Sequence, residues 1–373
     1  MAISPRLATS RLSIGTGVPP RIAPNGVRSY TPERGKLSRC AQSGYHHDAA
    51  ANRYHTPQGV TAMTAASATP SPEDLTRMAI ELRNWGRWGD NDERGALNLI
   101  TGSKRSEAAA LVQEGVSVSC SRPLPVTPTP QNQRPVQHLM ISGGDTVSED
   151  SRFGIAADYF AIASHGTATT HLDALCHIFY EGKIYNGYDK SEVRSDGAKK
   201  NSIMAGADGI VSRGVLLDIP PVRETQWLEP NERISVAELE KAEERQGLKV
   251  GSGDILLVAT GRDPREEARN QGEPFDGLAG LDASCLPWIH EREVAVIGCD
   301  GVTDALPSGV EGWPMPFHQV AIANMGIHLI DNLHIERLVT ACNKRNRWEF
   351  LFALAPLRLE GGTASPLNPL AIF

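Results

Sequence analysis

The chain has 373 residues, 40% of them hydrophobic, which is enough to bury one large core. A formal charge of −7 argues against nucleic acid or an anionic membrane as the main partner, and no apolar run approaches the ~20 residues of a membrane-spanning helix. Six cysteines occur singly, without the paired spacing of a zinc site or a disulfide framework, so reduced thiols in the cytoplasm are expected.

The N-terminal region differs in composition from the rest of the chain. Residues 1–62 are rich in Ser, Pro, Gly and Arg and show no hydrophobic periodicity, which predicts disorder. Their Arg-rich, acid-poor composition also resembles an organelle transit peptide, and a third interpretation is that Met63 is the true start. We therefore expect residues 1–70 to be a disordered or wrongly assigned extension, and 71–373 to form a single domain.

Four segments carry helix signals. Ser71 is a predicted N-cap before Pro72, and Ser235 with Glu238 predicts a capping box for a helix that ends at Gly247. The four predicted helices lie in SPEDLTRMAIELRNWG, SKRSEAAALVQEG (with Gly115 as its stop), SVAELEKAEERQG and ERLVTACNKRNRW.

Five apolar runs of strand length alternate with these helices. The predicted strands are GVSVSCS, GVLLDI, DILLVAT, EVAVIGCD and WEFLFALAPL. Mixed strands and helices indicate an α/β or α+β domain, and the Pro-rich PLPVTPTPQNQRP is predicted to be a surface loop.

The segment HGTATTHLDALCH, residues 165–177, gathers three histidines and an aspartate. If it begins as a strand, His171 and Asp173 project to the same side, because strand side chains alternate with period two. His177 follows four residues later, and His165 can fold back across the Gly-Thr turn. Neutral imidazoles with a carboxylate suit zinc, manganese or iron(II). The alternative is that these are ordinary hydrogen-bonded polar residues.

Other residues near this segment or after strands are weaker candidates. Cys176 could serve as a nucleophile with a histidine, although a small buried residue is the commoner role. Asp300 and Asp304 lie at the end of the strand in EVAVIGCD, whose last residue is Asp300. Asp300 is the stronger candidate to line a substrate site, with turn capping as the alternative. Trp85 and Trp88 are candidates for an aromatic wall against a planar substrate, with core packing as the alternative.

THLDALCH resembles the second half of H-x-G-T-H-x-D-x-P-x-H, the hallmark of the cyclase family of metal-dependent hydrolases. This family includes bacterial kynurenine formamidase, isatin hydrolase and a trans-dienelactone hydrolase. Further similar segments follow in the family's order: WGRWGDNDERGALNLIT, SRGVLLDIP, GDILLVATGRD, LPWIHEREVAVIGCDGVTD and FHQVAIANMGIHLIDNLHIERL. The resemblance covers most of residues 85–355.

Two positions depart from the hallmark. Its first histidine falls on Thr167, which cannot replace that ligand, and its proline falls on Leu175. His165, two residues before Thr167, is the candidate to complete the ligand set.

The resemblance implies a compact α/β domain of the swivelling β/β/α barrel-like type, assembled as a homo-oligomer, either a dimer or a tetramer. It also implies a zinc or manganese site with one or two ions, held by His171 and Asp173 and, from the C-terminal segment, by His318 and Asp331. Gln319 is an alternative to His318. By position His177 is the acid/base or a ligand to a second ion.

The function that these residues predict is hydrolysis of an amide, lactam or lactone bond in a small cyclic or formylated substrate. A lyase or cyclase acting on a similar ring is a weaker alternative. The other alternative is a non-catalytic small-molecule binding protein in which Thr167 marks a degenerate metal site.

Overall fold

The computed structural model describes residues 69–129, 132–269 and 273–373. The predictions made for residues 1–68 lie outside this part of the chain. None of the helices within the described ranges has both the length and the apolar character needed to cross a membrane.

The described ranges contain α-helices and β-strands in mixed order, as the sequence predicted. The helices are α1 (Pro72–Glu81), α2 (Gly102–Ala109), α3 (Val236–Gln246), α4 (Arg262–Ala268), α5 (Leu286–Glu291), α6 (Pro316–Val320) and α7 (Glu336–Arg345). The strands are β1 (Ser117–Ser119), β2 (Gln137–Ser142), β3 (Ala157–Ala161), β4 (His171–Asp173), β5 (Val193–Arg194), β6 (Gly197–Ala198), β7 (Ile210–Asp218), β8 (Arg233–Ile234), β9 (Ile255–Ala259), β10 (Gly280–Leu281), β11 (Val296–Cys299), β12 (His328–Asp331), β13 (Glu349–Leu354), β14 (Ala364–Pro366) and β15 (Leu370–Ile372).

The predicted helix caps are confirmed at α1 and α3. Ser71 and Asp74 form a capping box at the start of α1, and α3 ends at Gly247, which adopts a left-handed conformation with φ of 68°. The stop predicted at Gly115 is wrong, because α2 ends at Ala109. Beyond it the chain turns toward the C-terminus, where the Gly115 amide donates to the Phe373 carbonyl at 2.8 Å.

Nine strands form the main sheet, in the order β1-β15-β13-β7-β9-β11-β12-β4-β14. The central strands β7, β9, β11 and β12 are parallel, and antiparallel strands extend the sheet on both sides. β4 lies between β12 and β14 and pairs antiparallel with both. The histidine-rich segment therefore enters the sheet beside the last strand of its parallel centre.

Both faces of the sheet are covered, since alternate residues of one strand belong to two different cores. Leu217 packs into the core that holds α1, α3, α5 and α6, whereas Leu216 packs into the core with α7 and the aromatic side chains of β13. β9 is buried along its whole length. Central strands covered on both faces are typical of parallel sheets with helices on both sides.

The carboxyl ends of the parallel strands carry acidic side chains. Asp218 ends β7 and is 7% exposed. It lines a cavity of about 330 Å³ together with Asp300 and Glu336. Burial, with the nearby charges of Glu336 and Asp300, raises the pKa of Asp218 to about 7. Between about pH 4 and pH 7 the folded chain therefore keeps a proton on this carboxyl that the unfolded chain loses.

Replacing this carboxyl by an amide should stabilise the protein at neutral and alkaline pH. The pKa of Asp218 is about 4 in the unfolded chain and about 7 in the fold, so its stability penalty grows as pH rises from about 4 and is complete above about 7. The free energy of unfolding of Asp218→Asn should exceed that of wild type by up to about 4 kcal/mol more at about pH 8 than at about pH 4. Denaturant unfolding at both pH values measures this difference.

The exposed Asp196→Asn controls for the loss of one negative charge, and it should show no such gain at high pH. An equal difference between Asp218→Asn and wild type at the two pH values would contradict the prediction.

Candidate metal centre

The strand β4 places its two polar ends on one side of the sheet. His171 lies opposite Asp331 of β12, and Asp173 lies opposite Ala364 of β14. His171 and Asp173 point the same way, as the period-two pattern predicted, and the His171 Nε2 is 3.3 Å from the Asp173 Oδ1. Both side chains are buried.

Four imidazoles surround the Asp173 carboxylate. Its Oδ1 is 3.0 Å from the His165 Nδ1 and 3.3 Å from the His171 Nε2. Its Oδ2 is 3.5 Å from the His318 Nε2 and 4.0 Å from the His177 Nε2. The structure thus brings together residues that are up to 153 positions apart in the sequence.

The ligand atoms converge in two groups that share Asp173. One is His165, Asp173 and His177; the other is His171, Asp173 and Asp331, and within each group the donor atoms lie within 4.8 Å of one another. Imidazole and carboxylate donors at such spacing suit zinc or manganese. The shared carboxylate is compatible with one ion or with two.

The carboxylate oxygens at the centre lack hydrogen bonds. Both oxygens of Asp173 and the Oδ1 of Asp331 are buried without a hydrogen-bond partner, although imidazole nitrogens lie 3.0–3.5 Å from Asp173. These contacts have the distance of hydrogen bonds but not their angles. A buried anionic oxygen without a donor is costly, and a cation held among the lone pairs would remove that cost. The residues present therefore fit a divalent metal.

The protonation preferences agree with a site for a cation. Burial raises the pKa of Asp331. For Asp173 burial acts in the same direction, but the charge of His171 and the nearby imidazole N–H groups hold its pKa well below the usual value. Burial opposes charge on His171, yet the Asp173 and Asp331 carboxylates raise its pKa to about 9. A bound metal ion would supply the positive charge that the protonated imidazoles beside Asp173 supply in its absence.

Hydrogen bonds on the outer side of three rings orient them toward Asp173. The Nδ1 of His171 is 2.8 Å from the Thr169 carbonyl, and the Nε2 of His165 is 3.1 Å from the Thr363 hydroxyl. Asp304 lies 2.6 Å from the Nδ1 of His318. Such contacts fix both ring orientation and tautomer in metal sites.

His177 differs from the other members of the cluster. Its side chain is 27% exposed, and its ring stacks on the His165 ring with centroids 3.7 Å apart. Burial and the neighbouring histidines lower the pKa of His177 to about 4, against the opposing charge of Asp173. The imidazole is therefore neutral at physiological pH, as a proton acceptor must be.

The geometry shows which of the alternative residues, His165 or Thr167 and His318 or Gln319, face the centre. His165 lies beside Asp173, whereas the Thr167 carbonyl accepts a hydrogen bond from the Arg262 guanidinium at 2.7 Å and the residue lines a separate cavity of about 690 Å³. The Gln319 Oε1 accepts from the Met315 amide, so His318 and not Gln319 faces the centre.

Asp304 contacts His318 of the metal centre directly, a contact that its position in the sequence did not indicate. Its carboxylate accepts from the backbone amides of Phe317 and His318 as well as lying against the His318 ring. A carboxylate fourteen residues before a histidine carries no local signal of this contact, because the chain folds back between them to begin α6.

Asp300, predicted to bind substrate, has a different environment. Its two oxygens accept from the backbone amides of Thr260, Gly261 and Arg262 and from the Thr260 hydroxyl. The carboxylate thus closes the turn into α4, which is a structural role. The substrate role of Asp300 stays a prediction, and the geometry does not support it.

Trp85 and Trp88 lie on the loop after α1. The Trp85 indole donates to the Ala323 carbonyl at 2.9 Å, and the Arg83 guanidinium lies 4.4 Å from its ring. The Trp88 ring lies 4.8 Å from the Arg87 guanidinium. Ala323 belongs to the π-helical turn that follows α6, the helix that carries His318, so Trp85 contacts the turn next to that helix. The aromatic-wall role of both residues stays a prediction.

Cys176 is fully buried and its thiol is poorly suited to be a nucleophile. Burial raises its pKa to about 12, so the thiolate is scarce at neutral pH. The alternative of a small buried packing residue agrees with this environment.

Comparison with known proteins identifies the family. A family model described as "Putative cyclase" matches residues 29–304, which is most of the chain. The chain belongs to this cyclase family. No match was found among curated proteins.

Solved structures with the cyclase fold are similar to this chain. A crystal structure of a novel cyclase is 31% identical, with a TM-score of 0.70, and the match covers 78% of this chain and 100% of that one. Isatin hydrolase A from Ralstonia solanacearum is 22% identical, with a TM-score of 0.50, and the match covers 82% and 99% of the two chains. The predicted α/β fold of the cyclase family is confirmed.

In this cyclase-family chain the carboxylate behind His318 should control metal affinity. Asp304→Asn keeps the size of the side chain but removes the charge that orients the ring, so the affinity for Zn²⁺ or Mn²⁺ should fall by roughly 10- to 100-fold. Competition with a chromophoric chelator measures the affinity, and circular dichroism checks the fold.

Asp263→Asn is the matched control, since Asp263 makes the same kind of contact, at 2.9 Å, with His334 outside the cluster. Equal metal affinity in Asp304→Asn and wild type would rule out this orienting role.

Proposed function

We propose that this chain is a metal-dependent hydrolase that cleaves an amide, lactam or lactone bond of a small cyclic or formylated substrate. The observation that carries the proposal is the buried Asp173 carboxylate, which has four imidazoles within 4.0 Å but no hydrogen bond of acceptable geometry to either oxygen. Membership of the cyclase family and the fold shared with an isatin hydrolase support it.

The residues that would hold the ion are His165, His171, Asp173 and Asp331, with His318 close to both carboxylates. Their nitrogen and oxygen donors suit zinc and manganese. When bound, such an ion supplies Lewis acidity, which lowers the pKa of water and polarises a carbonyl group.

His177 is the proposed acid/base. Its neutral ring accepts a proton from the attacking water and returns it to the leaving nitrogen or oxygen. The carbon–nitrogen or carbon–oxygen bond breaks, the carbonyl carbon keeps the hydroxyl, and the histidine ends neutral. The Nε2 of His177 is 4.0 Å from Asp173, so the proton is exchanged beside the centre.

Solvent reaches the centre from one side. His165 and His177 have side-chain exposures of 32% and 27%, whereas His171 and His318 are at most 2% exposed. A small-molecule substrate would therefore approach across the stacked pair His165 and His177.

We place this reaction in the cytoplasm, because the five cysteines in the described residues are buried free thiols.

Asp173→Ala tests the metal requirement. Wild-type protein should contain about one or two equivalents of zinc or manganese, and the variant should lose them together with hydrolysis of lactones, lactams and formamides. Elemental analysis and a substrate screen measure both. A wild-type protein that neither contains nor recruits either ion would overturn the proposal in favour of a non-catalytic binding protein.

His177→Ala separates catalysis from metal binding. Turnover should fall by roughly 100- to 10,000-fold while most of the bound metal is retained, since proton transfer contributes a factor of that size. His138→Ala, which removes an exposed histidine paired with Asp158, is the matched control and should keep its activity. Wild-type turnover in His177→Ala would show that this residue is not the acid/base.

A further inference from the structure

The cavity of about 330 Å³ at the carboxyl ends of β7 and β9 has acidic side chains and no basic ones among the described residues that line it. We call it the acidic cavity. Four of its lining residues are aspartate or glutamate, and much of the remaining wall is apolar, formed by Pro220, Pro221, Pro264, Ile335 and Val339. None of the residues of the metal centre lines it, so it is a separate site.

The Asp218 side chain points into the acidic cavity. Leu216 of the same strand packs into the core that contains α7, and strand side chains alternate with period two, so Asp218 also faces α7. That helix forms one wall of the cavity through Glu336, Val339 and Asn343. Asp218 is only 7% exposed, so its carboxyl group meets the cavity more than bulk water.

Two of the four carboxylates are already compensated by other groups. Asp300 accepts hydrogen bonds from the backbone amides of the turn into α4, and Asp263 lies 2.6 Å from the Arg122 guanidinium. Within the described ranges, by contrast, the carboxylates of Asp218 and Glu336 have neither a hydrogen bond nor an ion pair. The cavity therefore contains two acidic groups that a ligand can pair with.

The charges that face Asp218 make a bound cation favourable. Burial and the charges of Glu336 and Asp300 raise its pKa to about 7, while the charge of Arg245 acts weakly in the opposite direction. The buried Cys342 thiol of α7 also faces Asp218, and burial raises its pKa, so it carries no charge. A cation in the cavity would lower the cost of ionising Asp218.

The size and walls of the acidic cavity favour an organic cation over a metal ion. About ten water molecules of ~30 Å³ each would fill its volume, which is far more than one ion needs. Groups of three or more His, Cys, Asp or Glu with ligand atoms within 4.8 Å of one another occur, among the described residues, in the metal centre alone. Apolar walls with few polar groups are typical of sites for small organic molecules.

We propose that the acidic cavity binds a small aliphatic amine. The ammonium group donates hydrogen bonds to the Asp218 carboxylate, and Glu336 adds a second negative charge on the α7 side. The aliphatic stem lies between the prolines and α7, where it loses contact with water. This site rests on the lining and burial of the cavity and does not depend on the proposed hydrolase activity.

Titration calorimetry of the full chain with butylamine tests the site. Butylamine is charged at neutral pH, and wild type should bind it roughly tenfold or more tightly than 1-butanol, its neutral analogue. Asp218→Asn should weaken butylamine binding by roughly tenfold or more, because the ammonium loses a charged acceptor. Circular dichroism confirms that each variant is folded.

Asp196→Asn is the matched control. It also removes one negative charge, but Asp196 is exposed and pairs with Lys199 outside the cavity. Its affinity for butylamine should equal that of wild type, which separates a local contact from a general effect of net charge.

Proton release on binding gives an independent measurement. Because the pKa of Asp218 is about 7, its carboxyl is mostly protonated at about pH 6, and the arriving ammonium should displace most of one proton. At about pH 8 the carboxyl is already ionised, so little release is expected. Calorimetry in buffers of different ionisation enthalpy counts the protons, and Asp218→Asn should release far fewer than wild type at about pH 6.

Three outcomes would overturn the proposal. They are no binding of butylamine to wild type at millimolar concentration, equal binding of butylamine and 1-butanol, and equal affinity in Asp218→Asn and wild type. Binding of Ca²⁺ or Mg²⁺ in place of butylamine, lost in Asp218→Asn, would also overturn it and would identify a site for an inorganic cation.

Discussion

The buried carboxylate of Asp173 is the constraint on which the site depends. A buried charge of this kind costs several kcal/mol unless positive charge or hydrogen bonds compensate it. Here the surrounding imidazoles approach without hydrogen-bond geometry to it, and each of three rings is held from behind by another group, Thr169, Thr363 or Asp304. Much of the local polar structure thus serves to hold the imidazole nitrogens around one small volume.

The sheet supplies the rigidity that this arrangement requires. β4 has only three residues, yet both of its edges are hydrogen-bonded, to β12 and β14, so His171 and Asp173 cannot shift in register. The same pairing brings Asp331 opposite His171. Asp304 accepts the first amides of α6 and thereby positions His318 on the same carboxylate. Three sets of hydrogen bonds bring these segments together: β4 with β12, β4 with β14, and Asp304 with the start of α6.

The sequence predicted the parts of this arrangement that are local. His165, His171, Asp173 and His177 lie within thirteen residues, and strand periodicity places His171 and Asp173 on one side. The caps of α1 and α3 follow from side-chain chemistry. The contact of Asp304 with His318 depends on a chain reversal that no pattern records. In the sequence, Asp300 and Asp304 both lie at the end of the same strand. Only the fold shows that Asp300 closes a turn and that Asp304 orients the His318 ring.

The asymmetry of the centre connects its chemistry to its surroundings. His171, Asp173, His318 and Asp331 are enclosed by the sheet and by α6, so they hold charge in a medium of low dielectric constant where electrostatic interactions are strong. His165 and His177 face solvent, so a proton can be exchanged there without passing through the buried group. Hydrolysis at a chosen carbonyl depends on positioning as well as on acidity, so a substrate has to be oriented on the open side of the centre, beside His165 and His177.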